Sequence, residues 1–242
     1  MLMPALAKAK GKAEAISCMS NTKQLMLGWL MFSTDNEDRL MPNGVGGHWV
    51  AGQMDWYTTP DNTNTLKLLD SQQSLIANYV KSTGVWKCPA DKYTSAVQKS
   101  AGMRDRVRSV AMNAALGGSP TIETATAPVT GRTYFAARKQ SDLLKPGPAM
   151  IWVTLDEHPD SINDGVFHLL EGRTKLTAEW RDLPASYHYG GGCNFSFADG
   201  HSEIKKWKDA RTKQPIKFRD WQNLTVRDSE DYVWMNDRMP YR

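Results

Sequence analysis

A chain of 242 residues with 40% hydrophobic and 23% charged side chains has the balance of a folded globular protein, which excludes general disorder. Its formal charge of +4 and pI near 8.9 are too weak a bias to argue for nucleic acid, anionic lipid or an acidic polymer as partner. Three cysteines, Cys18, Cys88 and Cys193, cannot all pair within one chain, and none forms a CxxC or a Cys/His pair with zinc-finger spacing.

From residue 5 to about 34 the chain consists mostly of strong helix formers, Ala, Lys, Glu, Leu, Met and Gln, and Pro4 falls where a first turn tolerates it. Such a helix would be a rod of roughly 45 Å. Its first half is alanine and lysine on most sides, whereas residues 25–32 are apolar almost all round, which predicts that they are buried in a head domain. Asp35, Asn36 and Pro42-Asn43-Gly44 then end the helix. The expected organisation is a helix over 1–34 and a mostly β head over 35–242. There is no apolar run of 18 residues. The start, Met1 to Ala7 followed by Lys8, Lys10 and Lys12, reads like the end of an apolar helix passing into a basic flank, so an upstream segment is expected.

Residues 43–65 are rich in Gly, Asn, Thr and Trp and read as loops with short strands. Leu66, Leu69, Ile76 and Val80 recur at helical intervals, which predicts a second helix over about 66–79. The Thr, Pro and Ala of 120–128 predict an exposed loop. Two strands follow, at 150–155 and 193–198. In the second, Cys193, Phe195 and Phe197 alternate with Asn194, Ser196 and Ala198, the pattern of a half-buried strand. Asp199-Gly200 predicts a two-residue hairpin turn into 201–207. No internal repeat is present.

Several groups of residues could carry chemistry. Cys18 on the helix and Cys88 in the stiff turn Cys88-Pro89-Ala90-Asp91 are the candidate disulfide, with two buried thiols as the alternative. His188, Asp199 and His201, around a triple glycine, have the donor types of a zinc-like site. Against this, Asp-Gly is explained by the turn, and the strand between His188 and Asp199 separates them by roughly 17 to 20 Å unless the chain folds back. Asp156, Asp160, Asn163 and Asp164 lie in an oxygen-rich stretch closing on Gly165, a candidate calcium loop without EF-hand spacing; the commoner reading is a polar turn. The expectation is no cofactor, or calcium at this loop. Lys205, Lys206, Lys208, Arg211, Lys213, Lys217 and Arg219, interleaved with Trp207, Phe218 and Trp221, could hold single-stranded nucleic acid, but lysines that block an edge strand are the commoner cause of such a run. No serine, cysteine or lysine sits in a recognisable nucleophile motif, so the chain is read as non-enzymatic.

Taken together, three stretches resemble one family. The N-terminal stretch through Ile16-Ser17-Cys18-Met19-Ser20-Asn21-Thr22-Lys23-Gln24-Leu25 is the first. Cys88-Pro89-Ala90-Asp91 with Arg106 to Asn113 is the second. Asp156 to Gly165 with His188 to His201 is the third. The chain is similar there to the pilin-like proteins of planctomycetes and verrucomicrobia, which carry a prepilin-type N-terminus and a C-terminal histidine, spacer, Asp-Gly signature. It departs from them in a spacer of ten residues instead of nine, and in lacking the prepilin peptidase site. The resemblance implies an α+β pilin-like fold, with a long N-terminal helix on an antiparallel sheet with extended loops. It also implies a pseudopilin of a type II secretion system, or a subunit of a type IV pilus-like fibre. Its partners would be other pilin subunits and an inner-membrane assembly platform, and its place the cell envelope: a membrane-held precursor, periplasmic or extracellular once assembled. A surface adhesin or carbohydrate-binding module using Trp49, Trp56 and Tyr57 is the second reading, and a metal-dependent hydrolase the third.

Overall fold

The computed structural model describes residues 2–44, 49–118, 125–126, 131–170 and 173–242, without the side chains of residues 2–4 and 125–126. The first element is α1 (Leu2–Asp35), whose 34 residues span about 51 Å. Cys18, Thr22, Leu25, Met26, Trp29 and Ser33 are, with Gly28, its buried positions, recurring at helical intervals along one face. The expectation that residues 25–32 are buried all round is therefore corrected: Leu27 is 61% and Met31 53% exposed. A helix laid on a sheet has only one face covered, whatever the composition of the other. Gly28 sets how close the helix comes, because a Cβ there would stand 2.7 Å from the Val80 side chain. Residues 5–10 are all exposed, and packing begins at Gly11 against Tyr189 and at Glu14, which pairs with Lys92.

The helix expected over 66–79 is broken into α2 (Leu66–Leu69) and a 3-10 turn at Leu75–Asn78. Between them Asp70 accepts hydrogen bonds from the Gln72 N–H (2.9 Å) and the Gln73 amide (2.7 Å), a local turn that competes with helix continuation. A further 3-10 turn, Gly84–Trp86, leads into the Cys88 turn. Next comes α3 (Ala96–Ser100), opened by a Ser95 and Gln98 capping box.

The strands are β1 (Val110–Asn113), β2 (Ala125–Thr126), β3 (Thr133–Tyr134), β4 (Trp152–Asp156), β5 (Val166–Phe167), β6 (Glu179–Trp180), β7 (Gly192–Phe197), β8 (Ser202–Lys206) and β9 (Leu224–Thr225). Five of them form one sheet in the order β5-β1-β4-β7-β8, while β2 pairs with β3 and β6 with β9. The fold is α+β as expected, but the sheet is mixed and not antiparallel, because β5 runs parallel to β1. The expected loop at 120–128 lies outside the described residues except for β2.

β7 is fully buried, where the alternation predicts a strand with one wet face. Its apolar side packs into a core of Trp152, Trp180, Phe195, Trp207 and Tyr232, closed by α4 (Glu230–Asn236). Its polar side meets other polar groups instead of water: Asn194 donates to Thr22 of α1 (3.0 Å), and Ser196 bonds Thr154 (2.6 Å). A second core, with Leu25, Trp29, Trp49, Trp86, Met112 and Val153, fills the space under the helix. The hairpin after β7 has a three-residue loop, Ala198-Asp199-Gly200, closed by Phe197 N–H to His201 O (2.9 Å), with Gly200 at φ +93°. This corrects the expected two-residue turn. β8 is the outer strand of the sheet, so Lys205 and Lys206 stand on an edge, as the commoner reading of the basic run has it. No helix among the described residues is long and apolar enough to cross a membrane.

Candidate functional site

Four chemically active side chains converge where α1 crosses the sheet. Cys18, Cys88, Asp156 and His188 are at most 2% exposed. Their ligand atoms, one from each residue, all lie within 4.8 Å of one another. Among the described residues no other group of three or more histidine, cysteine or acidic side chains is so close.

Each comes from a different element, and each is aimed by backbone structure. Cys18 is on the buried face of α1, one turn before Thr22, whose hydroxyl receives the Asn194 amide. Cys88 opens a turn closed by Asp91 N–H to Cys88 O (3.0 Å), and its own N–H donates to Ser109 Oγ (3.2 Å), which in turn donates to Asp91 (2.7 Å). Asp156 is the last residue of β4, paired with Val110, and its carbonyl accepts from Ala185 N–H (2.9 Å) and Cys193 Sγ (3.1 Å). His188 pairs with Gly192 across Tyr189-Gly190-Gly191. Gly190 and Gly191 have φ of +85° and +76°, a left-handed pair that only glycine adopts readily. This fold-back turns His188 toward Asp156, so the triple glycine shapes the site.

The Asp156 carboxylate has two side-chain partners. His188 Nε2 lies 2.9 Å from Oδ2, and Cys18 Sγ lies 3.2 Å from Oδ2 and 3.4 Å from Oδ1. Cys88 Sγ is 3.5 Å from His188 Nε2, while His188 Nδ1 has no hydrogen-bond partner among the described residues. The ring is thus held from its Nε2 side alone. Burial by itself would lower the His188 pKa, but the hydrogen bonds and charges of Asp156 and Cys88 outweigh it and raise it to about 10. Burial pushes the Cys18 thiol well up, reinforced by Cys88 and Asp156. For Cys88 burial acts upward too, yet hydrogen bonding to Cys18 and the proximity of His188 carry it below its ordinary value. Burial also raises Cys193 and the Tyr187 phenol, both near the Asp156 charge. The arrangement can hold protons in a chain of thiol, carboxylate and imidazole, or hold one cation.

Each of these four residues figures in the sequence reading, but in three other groupings. Cys18 and Cys88 do meet, as free thiols and not as the candidate disulfide. Asp156 leaves the candidate calcium loop and points to the cysteines. The rest of that loop accepts backbone hydrogen bonds: Asp160 from the distant N–H of Lys217 (2.7 Å) and Phe218 (3.0 Å), and, locally, Asn163 from Asp164 N–H (2.7 Å) and Asp164 from Val166 N–H (2.8 Å). His188 likewise leaves Asp199 and His201, which pair with each other at the hairpin (2.6 Å) with 38% and 43% of their side chains exposed. Those three therefore do not form one group, and the turn accounts for Asp199, as the commoner reading has it. Trp49 and Trp56 are 1% and 4% exposed, the former donating to Gly165 O (2.7 Å), so only Tyr57 of the expected aromatic surface is open. Burial fraction could not be read from composition, and of the two only Trp49 has its indole N–H hydrogen-bonded among the described residues.

Comparison with family models, with curated proteins and with solved structures gives no match.

Proposed function

We propose that the chain is a non-enzymatic, pilin-like subunit of a type II secretion pseudopilus or type IV pilus-like fibre, working in the cell envelope. The observation that supports this reading is the division of α1. One face from Cys18 to Ser33 is committed to the head, while residues 5–10 have no contact deep enough to bury them. Opposite the head, Ile16 (64% exposed), Leu27 (61%) and Met31 (53%) fall on one stripe, since 16 and 27 are about three turns apart and 27 and 31 about one. Such a stripe on a long helix suits packing against helices of neighbouring subunits. Of the three aromatics that the adhesin reading names, Trp49 and Trp56 are buried and Tyr57 alone stands exposed.

The test is immunogold labelling of sheared surface fibres from the host that carries the gene. Label on the fibres is expected for the native protein. Leu27→Asp with Met31→Asp should abolish incorporation while leaving the stability of the purified chain within about 0.5 kcal/mol per site, as is usual for exposed positions. Unlabelled fibres in the native strain, or undiminished incorporation of the double variant, would overturn the reading.

A further inference from the structure

We propose that Cys18, Cys88, Asp156 and His188 bind one zinc-class divalent ion, and that this ion fastens α1 to the head. The inference is independent of the fibre reading, because it rests on the interior of the head alone.

The donor set is the first ground. Two thiolates, an imidazole and a carboxylate suit zinc, and calcium and magnesium, which take oxygen ligands, are poor matches. Geometry is the second. A tetrahedral zinc with bonds of about 2.0 to 2.3 Å has ligand-to-ligand edges of roughly 3.2 to 3.8 Å. Three of the edges here measure 2.9 Å (His188 to Asp156), 3.2 Å (Cys18 to Asp156) and 3.5 Å (Cys88 to His188), and every pair is within 4.8 Å. Small rotations of side chains already in place complete the tetrahedron.

Charge is the third ground. Asp156 is 0% exposed, and its carboxylate is hydrogen-bonded by a thiol and an imidazole, with no Lys or Arg side chain bonded to it among the described residues. Binding a dication replaces two thiol protons and the Nε2 proton of His188, and supplies the countercharge from the centre of the cluster. With four protein ligands and no exposed edge, the site is closed, which is the form of a structural and not a catalytic zinc. Its mechanical sense lies in the ligand positions: residues 18, 88, 156 and 188 belong to α1, to the turn after Gly84–Trp86, to the end of β4 and to the loop entering β7. One ion would join the helix to three separate parts of the head.

The two sulfurs are also close enough that an oxidant could take two electrons and two protons from them and leave a disulfide, which would exclude a four-ligand ion. The experiment separates the two outcomes. The chain is isolated from cells alkylated before lysis, and a second batch is purified in reductant with neither metal nor chelator added. Elemental analysis is expected to find about one zinc per chain, and cobalt(II) substitution to give the visible absorption of a tetrahedral thiolate complex. Melting of the stripped protein should rise on adding zinc chloride and stay unchanged with calcium chloride. Cys88→Ser and His188→Asn should each weaken zinc binding by at least about 100-fold, since outer-shell changes alone reach that size. His201→Ala should bind as the native chain does. Absence of zinc together with a cobalt spectrum lacking thiolate bands would overturn the proposal. So would a Cys18 to Cys88 bridge in the alkylated sample, or native affinity in Cys88→Ser. If the ligand variants fail to fold, the cobalt spectrum of the native chain decides.

Discussion

His188 with Asp156, and His201 with Asp199, are two histidine and carboxylate pairs with similar contacts, 2.9 and 2.6 Å, and opposite surroundings. The first joins residues 32 apart in sequence, with side chains 1% and 0% exposed; the second joins residues two apart at a hairpin tip, with side chains 43% and 38% exposed. A local pair is a by-product of a turn: Asp199 also accepts the His201 N–H (3.1 Å), as an aspartate before glycine commonly does. A long-range buried pair has to be assembled by the whole fold, and two cysteines brought to the same point make it a site. Donor type alone does not separate the two pairs; burial and convergence do.

The largest expected difference between the pairs is in stability. Asp156→Ala leaves a buried imidazole and thiol without their acceptor and should cost about 3 to 5 kcal/mol in urea unfolding, the range for removing one member of a buried pair. Asp199→Ala should stay within about 0.5 kcal/mol, as for other exposed positions. Equal losses for the two would erase the distinction.

A smaller effect tests how the sites are aimed. Gly191 and Gly200 both have positive φ, +76° and +93°, so alanine at either should cost about 1 to 2 kcal/mol of backbone strain. Only Gly191→Ala should also weaken zinc binding, because the Gly191 N–H closes the turn on His188 O (2.9 Å) and so sets the direction of the ring. Affinity measured by chelator competition checks this; an equal fall for Gly200→Ala would show that the two turns are coupled.

Much of the frame could be read from residue order. α1 follows from a long run of helix formers, and β4 and β7 from short apolar and alternating runs, because those signals are local. The break at Asp70 was hidden by helical spacing in the leucines, since a side chain that bonds Gln72 and Gln73 defeats a pattern that counts only apolar positions. The parallel placement of β5 beside β1 depends on topology, for which two residues carry no periodicity. All four cluster residues stood out by type, yet 18, 88, 156 and 188 have no spacing that unites them. Two signals did point to them: Cys18 falls on the same helix face as Thr22, Leu25 and Trp29, and Asp156 continues an apolar strand straight into the interior.

The smallest expected effect concerns pH. Partial burial of Asp199 acts upward on its pKa, but the backbone N–H and ring of His201 outweigh it and hold the carboxyl below its ordinary value. A carboxyl depressed in the folded state stabilises that state above the unfolded value, near pH 4, and the contribution is lost as pH falls through the lower folded value. With 38% of the side chain exposed, solvent screening confines the gain to well under about 1 kcal/mol. Asp199→Asn should therefore match the native chain at pH 2 and be slightly less stable at pH 6, in urea unfolding at both values. Its zinc affinity should equal that of the native chain, since neither Asp199 nor His201 belongs to the buried group. A larger acid dependence, or a change in zinc affinity, would mean that the hairpin tip reports on the cluster after all.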